Sequence, residues 1–258
     1  VVTNNSPIDI DKLIEGTNEI LSANRNSLQL FDMLHSMRQF DDLTYVHSVN
    51  VALIASILGQ WLKFSEKDIR ILTISGLLHD IGKIMIPNEI LTKPGKLTVA
   101  EYNIMKQHVN FGYEKIKNQN IDIQIKEACL LHHEKCDGTG YPFGLKSDHI
   151  PAVAKIIAIA DVYDAMTSAR VYRGALCPFE VIDTMYKDAF TKFEPEYILP
   201  FLKNVASSYI NNDVRLSDGR IGKVVLINEN ALSLPIVQCE DEFIDLSKTR
   251  GLTVSAIL

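Results

Sequence analysis

The chain has 258 residues, 47% of them apolar, and a formal net charge of −6. That suffices for one large domain, or a domain with a small appendage, around a real core. The acidic balance excludes the broad basic surface that bulk nucleic acid requires, but not a small anionic ligand, because bound cations reverse a local field.

Residues 1–9 are polar. Apolar spacing then predicts amphipathic helices over Ile10–Leu21 and Ser27–Gln39. A long helix follows over Asp41–Trp61, with Leu43, Val46, Val49, Leu53 and Ile57 on one side. Ser65-Glu66-Lys67-Asp68 is a capping start for a helix over Lys67–His79. Pro87, Pro94 and Gly95 mark a loop, and Thr98 opens a helix to Ile116. Further helices are expected over Ile123–Glu134, Pro151–Ser168, Pro178–Ala189 and Pro195–Ser208, with a glycine-rich loop over Asp137–Asp148. Beyond Asn211 the pattern changes to short β-branched runs: Val214–Leu216, Arg220–Ile227, Pro235–Cys239 and Phe243–Leu246. Ser217-Asp218-Gly219 suits a hairpin turn between the first two. The expected organisation is an N-terminal helical segment over 1–39, a helical unit over 40–211 and a small antiparallel β appendage over 212–258.

The cysteines, Cys129, Cys136, Cys177 and Cys239, are scattered and form no C-x-x-C pair. This usage fits a reducing, cytoplasmic setting better than a disulfide framework. Cys136 reads as a small side chain filling a turn. No run approaches the ~20 apolar residues that span a bilayer, and no charged, then apolar leader opens the sequence. The start at Val1 fits a piece cut from a longer protein, with a regulatory sensor domain upstream.

Seven histidines are present: His35, His47, His79, His108, His132, His133 and His149. Each alone reads as a surface or satisfied core residue, and His35 and His149 keep that reading. Context changes it for His79, His132 and His133, whereas His47 and His108, each on a helix, could on this reading be structural histidines. His79-Asp80 ends an apolar helix, where an ionisable pair is costly without a compensating partner. A metal compensates well: imidazole and carboxylate suit divalent Fe, Mn, Zn or Co, and the two oxygens of Asp80 could bridge two ions. Asp161 and Asp164 interrupt an apolar helix three residues apart, on one face. Asp161 is a candidate ligand; Asp164 is a ligand or a group that holds a histidine ring. His132-His133 runs into the acidic, glycine-rich turn Glu134-Lys135-Cys136-Asp137-Gly138-Thr139-Gly140-Tyr141-Pro142, which suggests paired ligands feeding a loop shaped by its backbone. Together these clusters indicate a multi-metal hydrolase.

The ordered set resembles an HD-GYP domain, a subgroup of the HD metal-dependent phosphohydrolases. The matching residues are His47, His79-Asp80-Ile81-Gly82-Lys83 with Ile86-Pro87, His108, His132-His133-Glu134 through Gly140-Tyr141-Pro142, Ile159 to Thr167, and Arg170-Val171-Tyr172-Arg173. They span residues 40–210. The resemblance implies a mainly α, HD-type helical bundle, with the β appendage outside it, and hydrolysis of cyclic di-GMP to pGpG or GMP. It implies that His47, His79, Asp80 and Asp161 hold one metal, and that Asp80, His108, His132 and His133 hold a second, with Asp80 bridging. Asp80, Lys83 and Asp164 form the implied catalytic set. Lys83 and Arg170 match phosphate-contacting positions, Arg173 a basic position, and Gly140 and Tyr141 the substrate loop. Some members carry a glutamate for a third metal four residues before the first histidine; Leu43 stands there, so two ions, Fe or Mn, are expected. Two ions ~3.5–4 Å apart can activate one shared water and clamp phosphate oxygens, while Lys83 and Arg170 add positive charge. The alternatives are a sensor or partner-binding module with little activity, and a phosphodiesterase for another cyclic dinucleotide.

Overall fold

A computed structural model describes residues 43–168 and 176–258, with side chains from Val46 onward in the first stretch. The helices expected over Ile10–Leu21 and Ser27–Gln39, together with His35, Arg170 and Arg173, lie outside the described residues.

Helix α1 (Leu43–Trp61) is not the one-sided helix that the apolar stripe predicts: Val49 to Gly59 are all buried. Small residues let neighbours cover its second face. A Cβ at Gly76 would stand 2.4 Å from Cα of Ala52, so α2 (Glu66–Leu78) lies with its backbone directly against α1. Ser65 caps α2 as expected, its Oγ accepting from the Asp68 N–H. The chain then passes His79 and Asp80 into a 3₁₀ turn over Ile81–Met85 and a short helix α3 (Asn88–Leu91), where a loop was expected.

The single helix predicted from Thr98 is two. Thr98 and Glu101 form a reciprocal capping box at the start of α4 (Val99–Met105), and α5 (His108–Ile116) begins after a break at Lys106–Gln107. Helix α6 (Ile123–Leu131) stops before the histidine pair rather than carrying it. Helices α7 (Ala152–Thr167), α8 (Pro178–Asp188) and α9 (Pro195–Ser208) fall where the pattern placed them. α7 supplies a fully buried wall of Ile156, Ile157, Ile159 and Tyr163.

The C-terminal sheet is antiparallel, ordered β4-β3-β2-β1-β5. Its strands are β1 (Asp213–Leu216), β2 (Ile221–Leu226), β3 (Ile236–Cys239), β4 (Glu242–Asp245) and β5 (Val254–Ile257). Gly219, at φ +93°, makes the β1–β2 turn. β5 is additional to the four predicted strands and returns to pair with β1. Val214, Leu216, Val224, Val237 and Val254 join the same buried cluster as the helices, so the mainly α bundle and its β appendage share one core. No described helix is long and apolar enough to cross a membrane.

Candidate metal centre

Asp80 is the hub. The residue is 3% exposed, just past the end of α2, where the chain turns. Oδ2 lies 3.2 Å from His79 Nε2 and 3.5 Å from His47 Nε2. Oδ1 lies 3.3 Å from His108 Nε2 and 3.9 Å from His132 Nε2. Lys83 reaches back one turn to Oδ2 at 2.5 Å. Burial works against ionisation of Asp80, but the Lys83 ammonium and the surrounding imidazoles outweigh it and hold the carboxyl well below its usual range.

Four of the imidazoles are oriented from behind. His79 Nδ1 is 2.7 Å from the Gly76 carbonyl, and His108 Nδ1 is 2.8 Å from the Met105 carbonyl. His132 Nδ1 shares the Ala128 and Cys129 carbonyls at 3.1 Å. These carbonyls accept from Nδ1–H, which leaves Nε2 with its lone pair facing inward. His47 Nδ1 donates instead to Asp164 Oδ2 at 2.7 Å, and Asp164 Oδ1 accepts from Asn50 Nδ2 at 2.9 Å and from Ser168 Oγ at 3.0 Å. Asp164 is thus engaged as a positioning residue for His47.

The inward atoms fit a metal. His108 and His132 Nε2 and Asp80 Oδ1 are buried without a hydrogen-bond partner, and His47 and His79 Nε2 face only the carboxylates of Asp161 and Asp80, at 3.1 and 3.2 Å, a costly arrangement for polar atoms unless a cation compensates them. Two groups present ligand atoms within 4.8 Å of one another: Asp80 with His108, His132 and His133, and His47 with His79 and Asp80. Asp161 stands outside both groups but beside them, 3.1 Å from His47 Nε2 and 3.8 Å from His133 Nδ1. Burial pushes His108 and His132 down, and His133 down to about 4, so these rings are neutral donors at neutral pH. His47 differs: burial opposes its proton, yet the Asp161 and Asp164 carboxylates beside it raise it to about 9. That raised value marks a place where the protein favours positive charge.

Two glycines allow this convergence. A Cβ on Gly82 would fall 1.9 Å from the His108 carbonyl oxygen, so the turn after Asp80 touches the start of α5. A Cβ on Gly140 would fall 2.4 Å from the Lys135 nitrogen and 2.5 Å from the His133 oxygen, so the glycine-rich loop lies on the histidine pair. Tyr141 donates its N–H to the His133 carbonyl and stacks on the His133 ring, centroids 4.7 Å apart. The Tyr141–Pro142 peptide is cis.

The sequence reading gave no role to Glu134, Asn50, Tyr102 or Lys106. Buried Glu134 accepts from three successive N–H groups, Phe143 at 2.7 Å, Gly144 at 3.1 Å and Leu145 at 2.9 Å. Its signal was present: an acid between two candidate ligands and a glycine-rich loop is well placed to anchor that loop. Asn50 lies one helical turn beyond His47, and nothing in its type singled it out. His149 is exposed, as expected, and half-buried Cys136 sits in a turn, its N–H bonded to the Lys192 carbonyl.

Replacing Asp164 by alanine is expected to release the His47 ring and weaken metal affinity roughly 10- to 100-fold, the usual cost of losing such a partner. Metal titration monitored by competition with a chelating dye would read this; unchanged affinity would show that His47 holds its orientation without Asp164.

A helical bundle that brings buried imidazoles and carboxylates to one point has the architecture of a metal-dependent centre. The HD domain family model matches residues 17–197. A cyclic di-GMP phosphodiesterase from Pseudomonas aeruginosa is 36% identical over 203 residues, covering 78% of this chain and 49% of its own length. A 3'3'-cGAMP-specific phosphodiesterase from Vibrio cholerae is 32% identical over 193 residues, covering 74% and 37%. Among solved structures, an HDG"Y"P protein from Bdellovibrio bacteriovorus shares the fold, with TM-score 0.60 at 22% identity, covering 74% of this chain and 60% of that one. The chain belongs to the HD domain family, in its HD-GYP branch. It spans about half the length of the first curated relatives it matches.

Proposed function

We propose that this chain is the catalytic part of a metal-dependent phosphodiesterase that hydrolyses cyclic di-GMP to pGpG, GMP or both, in the cytoplasm. The observation that carries the reading is the set of buried, inward Nε2 atoms that converge on Asp80. Relatives named cyclic di-GMP phosphodiesterases support the substrate, and free cysteines suit a reducing compartment. When bound, two divalent ions, Fe or Mn, would supply Lewis acidity and a water acidic enough to attack phosphorus at neutral pH.

The residues would divide the remaining work. His47, His79, Asp80 and Asp161 would hold one ion and Asp80, His108, His132 and His133 the other, with Asp80 shared through its two oxygens. The His47, His79, His108 and His132 rings, held through Nδ1, need little reorganisation when an ion enters. Lys83 keeps Asp80 ionised and places an ammonium beside the position of the attacked phosphate. Tyr141, stacked on His133, forms an aromatic wall that excludes water on that side. Gly140 lets this wall approach the ligands. Arg170 and Arg173 are proposed to add phosphate contacts.

Replacing Lys83 by alanine is expected to lower turnover roughly 100-fold, comparable to losing one preorganised donor to developing charge, with metal content near normal. Loss of metal together with activity would instead make Lys83 a structural counter-ion of Asp80. The function is tested by chromatography of cyclic di-GMP incubated anaerobically with protein and Fe(II) or Mn(II). Metal-dependent appearance of pGpG or GMP is expected; intact substrate beside confirmed metal loading would overturn the reading in favour of a sensor module or another substrate. The second reading, another cyclic dinucleotide, draws on the Vibrio relative's name, and direct competition between cyclic di-GMP and 3'3'-cGAMP would decide it.

A further inference from the structure

The rim of the centre holds a cation that the ligand set does not use. Lys106 stands in the break between α4 and α5, two residues before His108. Its Nζ lies 5.3 Å from the Tyr102 ring centroid and 5.9 Å from that of Tyr141. The two tyrosines meet edge to face, centroids 6.5 Å apart, and Tyr141 stacks on His133. Lys106 is therefore one aromatic ring away from the candidate ligands. Among the described residues it forms no ion pair. The nearby acid on its own helix, Glu101, is committed to Lys93 at 2.6 Å and to the Thr98 N–H at 2.7 Å. Asp80 is taken by Lys83, and Asp161 faces His47 and His133.

Ring faces hold an ammonium in place without neutralising it. A long, flexible lysine has much rotamer freedom to lose, and two tyrosines remove part of it in advance. The result is a half-buried, oriented positive charge beside the histidine cluster, without an ion-pair partner among the described residues, and such a charge suits a phosphate. Lys83 already serves the phosphate at the metals. A cyclic dinucleotide carries a second phosphate that is not being cleaved, and this must lie away from the metals.

We infer that Lys106, cradled by Tyr102 and Tyr141, binds the non-scissile phosphate of the cyclic dinucleotide and so sets a requirement for two phosphates. The inference rests on the proposed substrate class and deepens it. It stands on the two-ring cradle of Lys106, on the stacking of Tyr141 against His133, and on the lack of an ion-pair partner for Lys106 among the described residues.

The test compares wild type with Lys106→Met, which keeps the alkyl stem on the rings, and Lys106→Arg, which restores charge. Three readouts are needed on the metal-loaded protein: calorimetric binding of a phosphorothioate cyclic di-GMP, steady-state turnover of cyclic di-GMP, and turnover of bis(p-nitrophenyl) phosphate, which has one phosphate. Losing one charged hydrogen bond predicts a roughly 10- to 100-fold rise in Kd and KM for the dinucleotide in Lys106→Met. Its kcat and its bis(p-nitrophenyl) phosphate kinetics are expected to stay unchanged, and Lys106→Arg to recover most of the loss. Equal loss on both substrates, or no loss on either, overturns the inference. Lysine-dependent binding without turnover in wild type would keep the subsite and sink the phosphodiesterase reading. Absence of binding in wild type would sink both.

Discussion

Asp80→Ala is expected to empty the centre and abolish turnover. No other described side chain lies close to so many of the candidate ligands: His47 and His79 are near Oδ2, and His108 and His132 near Oδ1. Removing it takes a donor from both candidate groups at once and leaves the Lys83 ammonium beside four imidazoles with no charge between them. Metal content by mass spectrometry should fall to background, and phosphodiesterase activity by on the order of a thousandfold or more, as the activated water and the phosphate clamp are lost together. Asp80→Asn separates charge from packing. It has nearly the same shape, so the fold should persist by circular dichroism while metal is still lost. Full activity in either variant would end the two-ion assignment. Retained metal with lost activity would move Asp80 from ligand to reacting group.

The order of elements and the set of titratable residues were legible in the sequence because both depend on local pattern. Apolar spacing located α7, α8 and α9, and the Ser65 and Thr98 caps located two helix starts. What the sequence hid was set by contacts between distant segments. Met105, Lys106 and Gln107 all have good helix propensity, and no glycine or proline marks the break there. The break goes with the placement of His108 against Gly82, which lies 26 positions away in the chain. The stripe on α1 predicted one buried face, but Ala52, Ala55, Ser56 and Gly59 are small enough for neighbours to cover the other. β5 was overlooked although Leu252, Val254 and Ala256 alternate, since a short run at the end of the sequence carries little weight until its partner β1 is known. The same limit applied at the site. Residue types pointed to His79, Asp80, His132 and His133, and the family resemblance added His47 and His108, but the carboxylate of Glu134 and the cradle of Lys106 were defined only by what folding brings to them.

Gly82→Ala is expected to damage fold and centre together, although it adds a single methyl group. The new Cβ would sit 1.9 Å from the His108 oxygen, 2.4 Å from the Gly112 nitrogen and 2.9 Å from the His108 carbonyl carbon. All three are backbone atoms, so no side chain can rotate away; α5 or the turn after Asp80 has to move. Overpacking against yielding side chains costs about 1–3 kcal/mol, and a backbone contact belongs at or above the top of that range. At about 3 kcal/mol, a chain of this size loses roughly 6–12 °C in Tm. The displaced element carries either His108 or Asp80, so metal affinity should fall in the same variant. Gly95→Ala is the control. Gly95 has φ +116°, with nothing within 4 Å of its added Cβ; it meets only local backbone strain of about 1–3 kcal/mol and should leave metal binding intact. Differential scanning calorimetry with parallel metal analysis checks the pair. A Gly82→Ala protein with wild-type Tm and full metal would show that the turn and α5 can separate without disturbing the ligands. Equal metal loss in both variants would show that the centre responds to global stability and not to the Gly82–His108 contact.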